Sequence, residues 1–136
     1  VCPHGKKSGY AGYYVHIEPN VRYFICAGLW CPEPRFVKSV REEIMLDGKN
    51  FDKAIRKAKG FSLSWEDSLK KVPAGFNAED EFADYYRLRS FLVEKDIDEN
   101  YILDKDFLEH VVADLRRTYE FNSLLNKSVE YAIEMY

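Results

Sequence analysis

No stretch of this sequence approaches the roughly 20 consecutive apolar residues that an α-helix needs to span a bilayer, so no helical membrane anchor is expected. The first residues carry no signal-peptide core. Cysteine is scarce: there are three, an odd number that suits a reducing, cytoplasmic setting better than a secreted disulfide framework. The chain starts at Val1 rather than Met, which is compatible with a longer protein upstream. Signatures of the common nucleotide and hydrolase sites (GxGxxG, the P-loop, GxSxG and HExxH) are missing. No cofactor is therefore expected. There is no internal repeat, low-complexity tract or linker.

What is present is enough for one domain. At 136 residues and 16.0 kDa the chain can bury about two-thirds of its unfolded surface. Apolar residues make up 46% and charged residues 32%, the balance of a folded rather than a disordered chain. The net charge of −3 hides an asymmetry: residues 1–75 hold 13 Lys/Arg against 8 Asp/Glu, and residues 76–136 hold 7 against 15. Solvated faces of different helices explain such a split in most proteins. Its functional reading is a basic patch that faces an anion.

The chain is organised around residues 9–32. Tyr13, Val15 and Ile17 alternate with Tyr14, His16 and Glu18, the period of two that assigns each set to one face of a strand. Residues 22–30 are almost all apolar, the pattern of a strand covered on both faces. Glu18-Pro19-Asn20-Val21 joins them; Pro19 favours a type I turn and a loop of three or four residues. The register stays open by one, with His16 facing Tyr23 or Phe24.

Pro34 suits the first turn of a helix that carries Phe36, Val37, Val40 and Ile44 on one stripe, with Lys38 and Glu42 paired outside and Gly48 at its end. Asn50 then caps a second helix bearing Phe51, Ala54, Ile55 and Ala58, which ends at Gly60. Phe61, Leu63 and Trp65 alternate as a short strand, and Leu69–Val72 returns beside it. Asn77 caps a short acidic helix containing Phe82, Tyr85 and Tyr86, and residues 87–97 form a strand. Asp104 caps a helix with Phe107, Leu108, Val111, Val112 and Leu115 on one face. A break near Thr118–Asn122 precedes a last stripe of Leu124, Leu125, Val129 and Ile133. The expected fold is a single α+β domain over residues 1–136: a small antiparallel sheet with a central hairpin, packed against helices, and a helical C-terminus.

Several short motifs carry a resemblance. They are Gly12-Tyr13-Tyr14-Val15-His16-Ile17-Glu18-Pro19, Ala27-Gly28-Leu29-Trp30, Pro32 and Arg41-Glu42-Glu43-Ile44, followed by Leu69-Lys70, Val72-Pro73-Ala74-Gly75-Phe76 and Ser90-Phe91-Leu92-Val93. In order and spacing the chain resembles the bacterial conserved hypothetical proteins grouped as domain of unknown function 2461. The resemblance implies fold and membership; the family has no settled activity, so it supplies no catalytic residue. Members carry an upstream RxxRDxRF signature that is absent here, which implies a fragment lacking the family's N-terminal part. Cys26 and Ala27 stand where the family is often glycine-rich.

Four residues, Cys2, His4, Cys26 and Cys31, make a zinc tally, but Cys26 and Cys31 are five apart and point to opposite faces of a regular strand, so no metal is expected. Cys26 and His16 could be nucleophile and base, yet neither register makes them direct neighbours. The aromatics Tyr10, Tyr13, Tyr14, Tyr23, Phe24 and Trp30 could stack bases or sugars, although strands favour aromatics simply as cover. Lys49, Lys53, Arg56 and Lys57, with Lys70 and Lys71, form the main cationic cluster; Lys53, Arg56 and Lys57 share a helix face by spacing.

Two functions follow as expectations. The first is a binding module for an anionic ligand, phosphate-bearing or nucleic acid, docking by the hairpin at Tyr14, His16, Trp30, Arg41 and Lys70. The second is an enzyme of unknown reaction, with its site between the absent signature and the Tyr14/His16/Trp30 face. If that signature belongs to a strand pairing with residues 10–17 or 22–30, its absence leaves an open sheet edge. The oligomeric state is not fixed by the sequence.

Overall fold

In a computed structural model of the chain, residues 9–136 are described. A four-stranded antiparallel sheet has the order β1-β2-β4-β3, with β1 at Gly12–Glu18, β2 at Arg22–Leu29, β3 at Ser62–Leu63 and β4 at Phe91–Asp96. Helix α1 (Pro34–Lys57) follows the hairpin, a 3-10 helix (Ala83–Arg87) precedes β4, and α2 (Glu99–Leu103), α3 (Phe107–Arg116) and α4 (Tyr119–Met135) close the chain. This is the expected α+β fold with a helical C-terminus.

The core lies on one sheet face. Ile25, Ala27 and Leu29 of β2 and Phe91 and Val93 of β4 are buried beneath α1 and α4, which contribute Phe36, Val40, Ile44 and Phe51, and Phe121, Leu125 and Val129. These are the apolar stripes seen in the sequence, and burying them supplies most of the fold's driving force. Tyr86 and Leu88 plug the core from the segment before β4, both fully buried.

Several expectations are settled or corrected. Tyr23 directs its carbonyl to the Ile97 N–H at 3.0 Å, which sends the backbone groups of Phe24 toward β1 and sets the register His16–Phe24. The loop has three residues, and Asn20 at φ 63° gives a type II pattern where type I was expected; asparagine tolerates that conformation. The two helices expected over 34–60 are present and run together as α1 across a non-helical break at Asp47 (φ −151°, ψ 66°); the cap of the second is Asp47 rather than Asn50, its carboxylate accepting the Asn50 N–H at 3.3 Å. Lys38 and Glu42 do not pair; the Lys38 ammonium lies over the Tyr136 ring and Glu42 accepts the Tyr136 hydroxyl.

Residues 69–72 do not return beside β3. Ser68 bridges Leu88, and the Leu69 N–H donates to the Arg87 carbonyl at 2.6 Å, so residues 67–69 lie along the entry to β4 instead. Asn77 closes a turn by accepting from the Glu79 N–H and caps no helix. Helix α2, capped by Asp98 on the Tyr101 N–H, was not foreseen. In α3 the expected apolar face is only partly used, since Leu108 is 74% exposed and Val112 50%. Ile133 of α4 is likewise exposed. The break between α3 and α4 is real, with Thr118 Oγ1 donating to the Leu115 carbonyl at 2.6 Å. No helix among the described residues is long and apolar enough to cross a membrane.

Candidate functional site

Where β2 ends, the chain turns through Trp30 and Cys31, the latter in the left-handed region at φ 48°. The turn is pinned from β4: the Cys31 N–H donates to Ser90 Oγ at 2.9 Å, and the Ser90 hydroxyl donates to Asp67 Oδ2 at 2.6 Å. Asp67 also receives Arg89 Nη2 at 3.0 Å, while its own carbonyl accepts the Arg89 N–H at 2.9 Å. Residues 30–31, 67–69 and 87–90 thus form one hydrogen-bonded corner at the end of the sheet.

Arg41 enters this corner from α1. Its Nη2 donates to the Leu88 carbonyl at 2.9 Å, and its Nε is buried without a hydrogen-bond partner. Among the described residues, no carboxylate forms an ion pair with it. Burial lowers the affinity of the Arg41 guanidinium for its proton, and the neighbouring Arg89 charge lowers it further. An arginine nevertheless stays charged at neutral pH. The Asp67 carboxylate is committed to Arg89 and Ser90 and makes no ion pair with Arg41. Arg87 is already engaged with Asp84 at 3.3 Å and with the Leu69 carbonyl at 2.9 Å. Among the described residues, therefore, the Arg41 charge has no carboxylate partner and its Nε is an idle buried donor.

The residues singled out in the sequence divide around this corner. Arg41 and Trp30 belong to it, and Tyr14 reaches it through an edge-to-face contact with Trp30 at 6.0 Å. Lys70 is exposed on the segment paired with residues 87–88. His16 lies toward the hairpin turn instead, stacked on Phe24 at 4.7 Å and 3.2 Å from Glu18. There it neighbours an acidic network in which Arg22 holds Glu94 at 2.7 Å, Asp96 at 3.2 Å and Glu66 at 3.3 Å. Asp67, Arg89 and Ser90 were not singled out, because three segments distant in sequence build the corner.

Chemistry around Cys26 is muted. Burial, with Glu94 adding to it, pushes the Cys26 thiol up to about 12, so it is protonated and a poor nucleophile at neutral pH. Cys31 is disulfide-bonded, which removes it from any thiolate set and weighs against reading the cysteine count as a reducing signature. Cys2 and His4, the other members of the zinc tally, lie outside the described residues. Asp104, Asp106 and His110 bring ligand atoms within 4.8 Å of one another at the start of α3, an arrangement common among exposed acidic groups.

The cationic cluster of α1 splits. Lys49, Lys53 and Arg56 line a cleft of about 800 Å³ with Trp65, Phe82 and Tyr85, whereas Lys57 turns away to Glu120 at 3.0 Å. Asp52, Glu81 and Asp84 line the same cleft, and Asp52 takes both Arg56 and the Tyr85 hydroxyl. Three cations against three carboxylates leave this cleft without the positive excess of the Arg41 corner.

No curated protein and no solved structure matches the chain. The model of the conserved hypothetical proteins of DUF2461 matches residues 1–123, which span the hairpin, α1, the Arg41 corner and β4. The protein therefore belongs to the DUF2461 family of conserved hypothetical proteins.

Proposed function

We propose that this protein binds a phosphate-bearing ligand at the corner formed by Arg41, Arg89 and the Trp30–Cys31 turn, with Lys70 at its rim. One observation carries the reading: Arg41 is a partly buried cation with no carboxylate partner among the described residues, one idle N–H and a second guanidinium beside it. A buried charged donor left unsatisfied costs upward of about 1–3 kcal/mol, and an anion would recover that cost. The planar guanidinium fork matches phosphate oxygens, and Trp30 and Tyr14 offer ring surface alongside. Nucleic acid is the less favoured form of such a ligand, since the net charge of −3 and the acidic network around His16 oppose a long polyanion. The enzyme reading has less support: the described partners of His16 are Glu18 and Phe24, neither a nucleophilic thiol nor hydroxyl, and Cys26 is held protonated.

Calorimetric titration with inorganic pyrophosphate, inorganic phosphate and a short single-stranded oligonucleotide, each at two salt concentrations, tests the proposal. Pyrophosphate is expected to bind, more weakly at high salt, and Arg41→Ala to weaken it at least about tenfold, the loss of one charge-assisted contact. Lys70→Ala, at an exposed position, should cost only a few-fold. Binding that ignores salt and both substitutions would remove the proposal, as would an absence of binding by all three probes.

A further inference from the structure

The cleft of about 800 Å³ beside α1 has a wall of aromatic rings. Tyr85 joins two near-parallel pairs, with Phe82 (ring centres 5.9 Å apart, 4° between planes) and with Trp65 (6.1 Å, 17°). Rings at that spacing are offset rather than face to face, which leaves part of each face open. Trp65 is 42% exposed, and Phe82 and Tyr85 are half-buried. The wall is held in place by its surroundings. The Tyr85 hydroxyl donates to Asp52 Oδ1 at 2.6 Å, and Phe51 meets the Tyr85 ring edge-on at 5.1 Å. Phe82 rests on Gly48, where a Cβ would lie 2.3 Å from Phe82 Cδ2. The Arg87 guanidinium lies over the Trp65 ring at 6.0 Å. Trp65 follows β3, the sheet edge opposite β1, so the cleft stands apart from any strand that β1 would take.

Polar groups of both signs rim the wall. Asp52 is committed to Arg56 as well as to Tyr85, and Asp84 to Arg87 at 3.3 Å. Among the described residues, the side chains of Lys49, Lys53 and Glu81 make no hydrogen bond or ion pair, so two ammonium donors and one carboxylate line the cleft unused. We propose that this cleft binds a neutral sugar of one or two pyranose rings, at a site separate from the Arg41 corner. One face of a pyranose presents C–H groups whose slight positive charge suits the negative face of an aromatic ring, and stacking there buries apolar area. Sugar hydroxyls both donate and accept, so they can use ammonium and carboxylate groups together. A phosphorylated ligand would instead meet three carboxylates. The cleft falls within the range of about 300–1,000 Å³ usual for small-molecule sites.

Titrations with cellobiose, maltose and adenosine test this, followed by calorimetry and by the indole N–H signals of the two tryptophans. Trp65→Phe and Trp30→Phe assign those signals. At least one disaccharide is expected to shift the Trp65 signal saturably and with little dependence on salt, while Trp30, at the Arg41 corner, stays in place. Trp65→Ala should weaken that binding at least about tenfold. Gly48→Ala should weaken it about threefold or more by pushing the Phe82 ring off the wall, although alanine favours the helix. Glu81→Gln, at an exposed and unpaired position, should cost a few-fold, and it decides if the other variants fail to fold. A Trp65 signal that neither disaccharide moves would overturn the proposal, as would sugar binding indifferent to Trp65→Ala and Glu81→Gln. Adenosine binding more tightly than both disaccharides would overturn it too, and give the cleft to a flat base.

Discussion

Gly28→Ala is expected to destabilise the fold by at least about 3 kcal/mol, measured as the shift in urea unfolding free energy. Gly28 sits on β2 at φ +135°, and a Cβ built there lies 1.9 Å from the Phe91 carbonyl oxygen and 2.9 Å from its carbon. The obstacle is backbone, so no rotamer change relieves it. Relief requires β2 and β4 to separate where Gly28 pairs with Leu92, next to fully buried Phe91 and Val93. The same strand end leads into the Trp30–Cys31 turn, so the damage would reach the Arg41 corner. Gly75→Ala is the control: its φ is +93° but nothing lies within 4 Å, and the conformational term alone should cost about 1–2 kcal/mol. A Gly28→Ala variant no less stable than Gly75→Ala would contradict the close strand approach.

Asp114→Ala is expected to cost about 2–3 kcal/mol. Asp114 is buried on α3, where its Oδ2 accepts from Tyr101 Oη at 2.6 Å and from Lys95 Nζ at 2.9 Å, tying β4, α2 and α3 together. Removing the carboxylate strands both donors. Breaking a fully buried pair costs about 3–5 kcal/mol, reduced here because Lys95 keeps some solvent. Burial by itself pushes the Asp114 carboxyl up. The hydrogen bonds from Tyr101 and Lys95, with the charges of Lys95 and Arg117, outweigh it and hold the group below its ordinary 3.8. A carboxyl depressed in the folded state contributes its full stability above the unfolded pKa, and loses it as pH falls through the folded value. Wild type should therefore lose stability below about pH 4, and its advantage over Asp114→Asn should shrink across that range. An advantage independent of pH would show that Asp114 acts only by filling space.

Much of the fold was legible because local periodicity reports burial. The stripe of Phe36, Val40 and Ile44, the alternation of Tyr13, Val15 and Ile17, and the run from Ile25 to Leu29 each name an element and its inner face. Periodicity failed where a face had little cover: Leu108 and Val112 repeat like core residues but stay exposed, Val112 lining an open groove with Tyr13 and Tyr119. It also gave no help with residues 67–69, which are held by backbone bonds to residues 87–90 and show no pattern of their own. The site was half legible. Arg41 and Trp30 stood out as residues, but Asp67, Arg89 and Ser90 meet them only through tertiary contact. His16 was assigned correctly to a strand, and its contacts with Phe24 and Glu18 set it apart from the corner.

The most direct test of the anion site watches the idle donor itself. In nitrogen–proton correlation spectra of arginine side chains, the Arg41 Nε–H signal can be assigned by its loss in Arg41→Lys and followed while inorganic pyrophosphate is added. The signals of Arg41 and Arg89 are predicted to shift together and saturably, while that of Arg56, paired with Asp52 in the opposite-charge cleft, stays in place. An Arg41 signal that does not move at any pyrophosphate concentration, or one that moves only in step with every exposed arginine, would contradict the site.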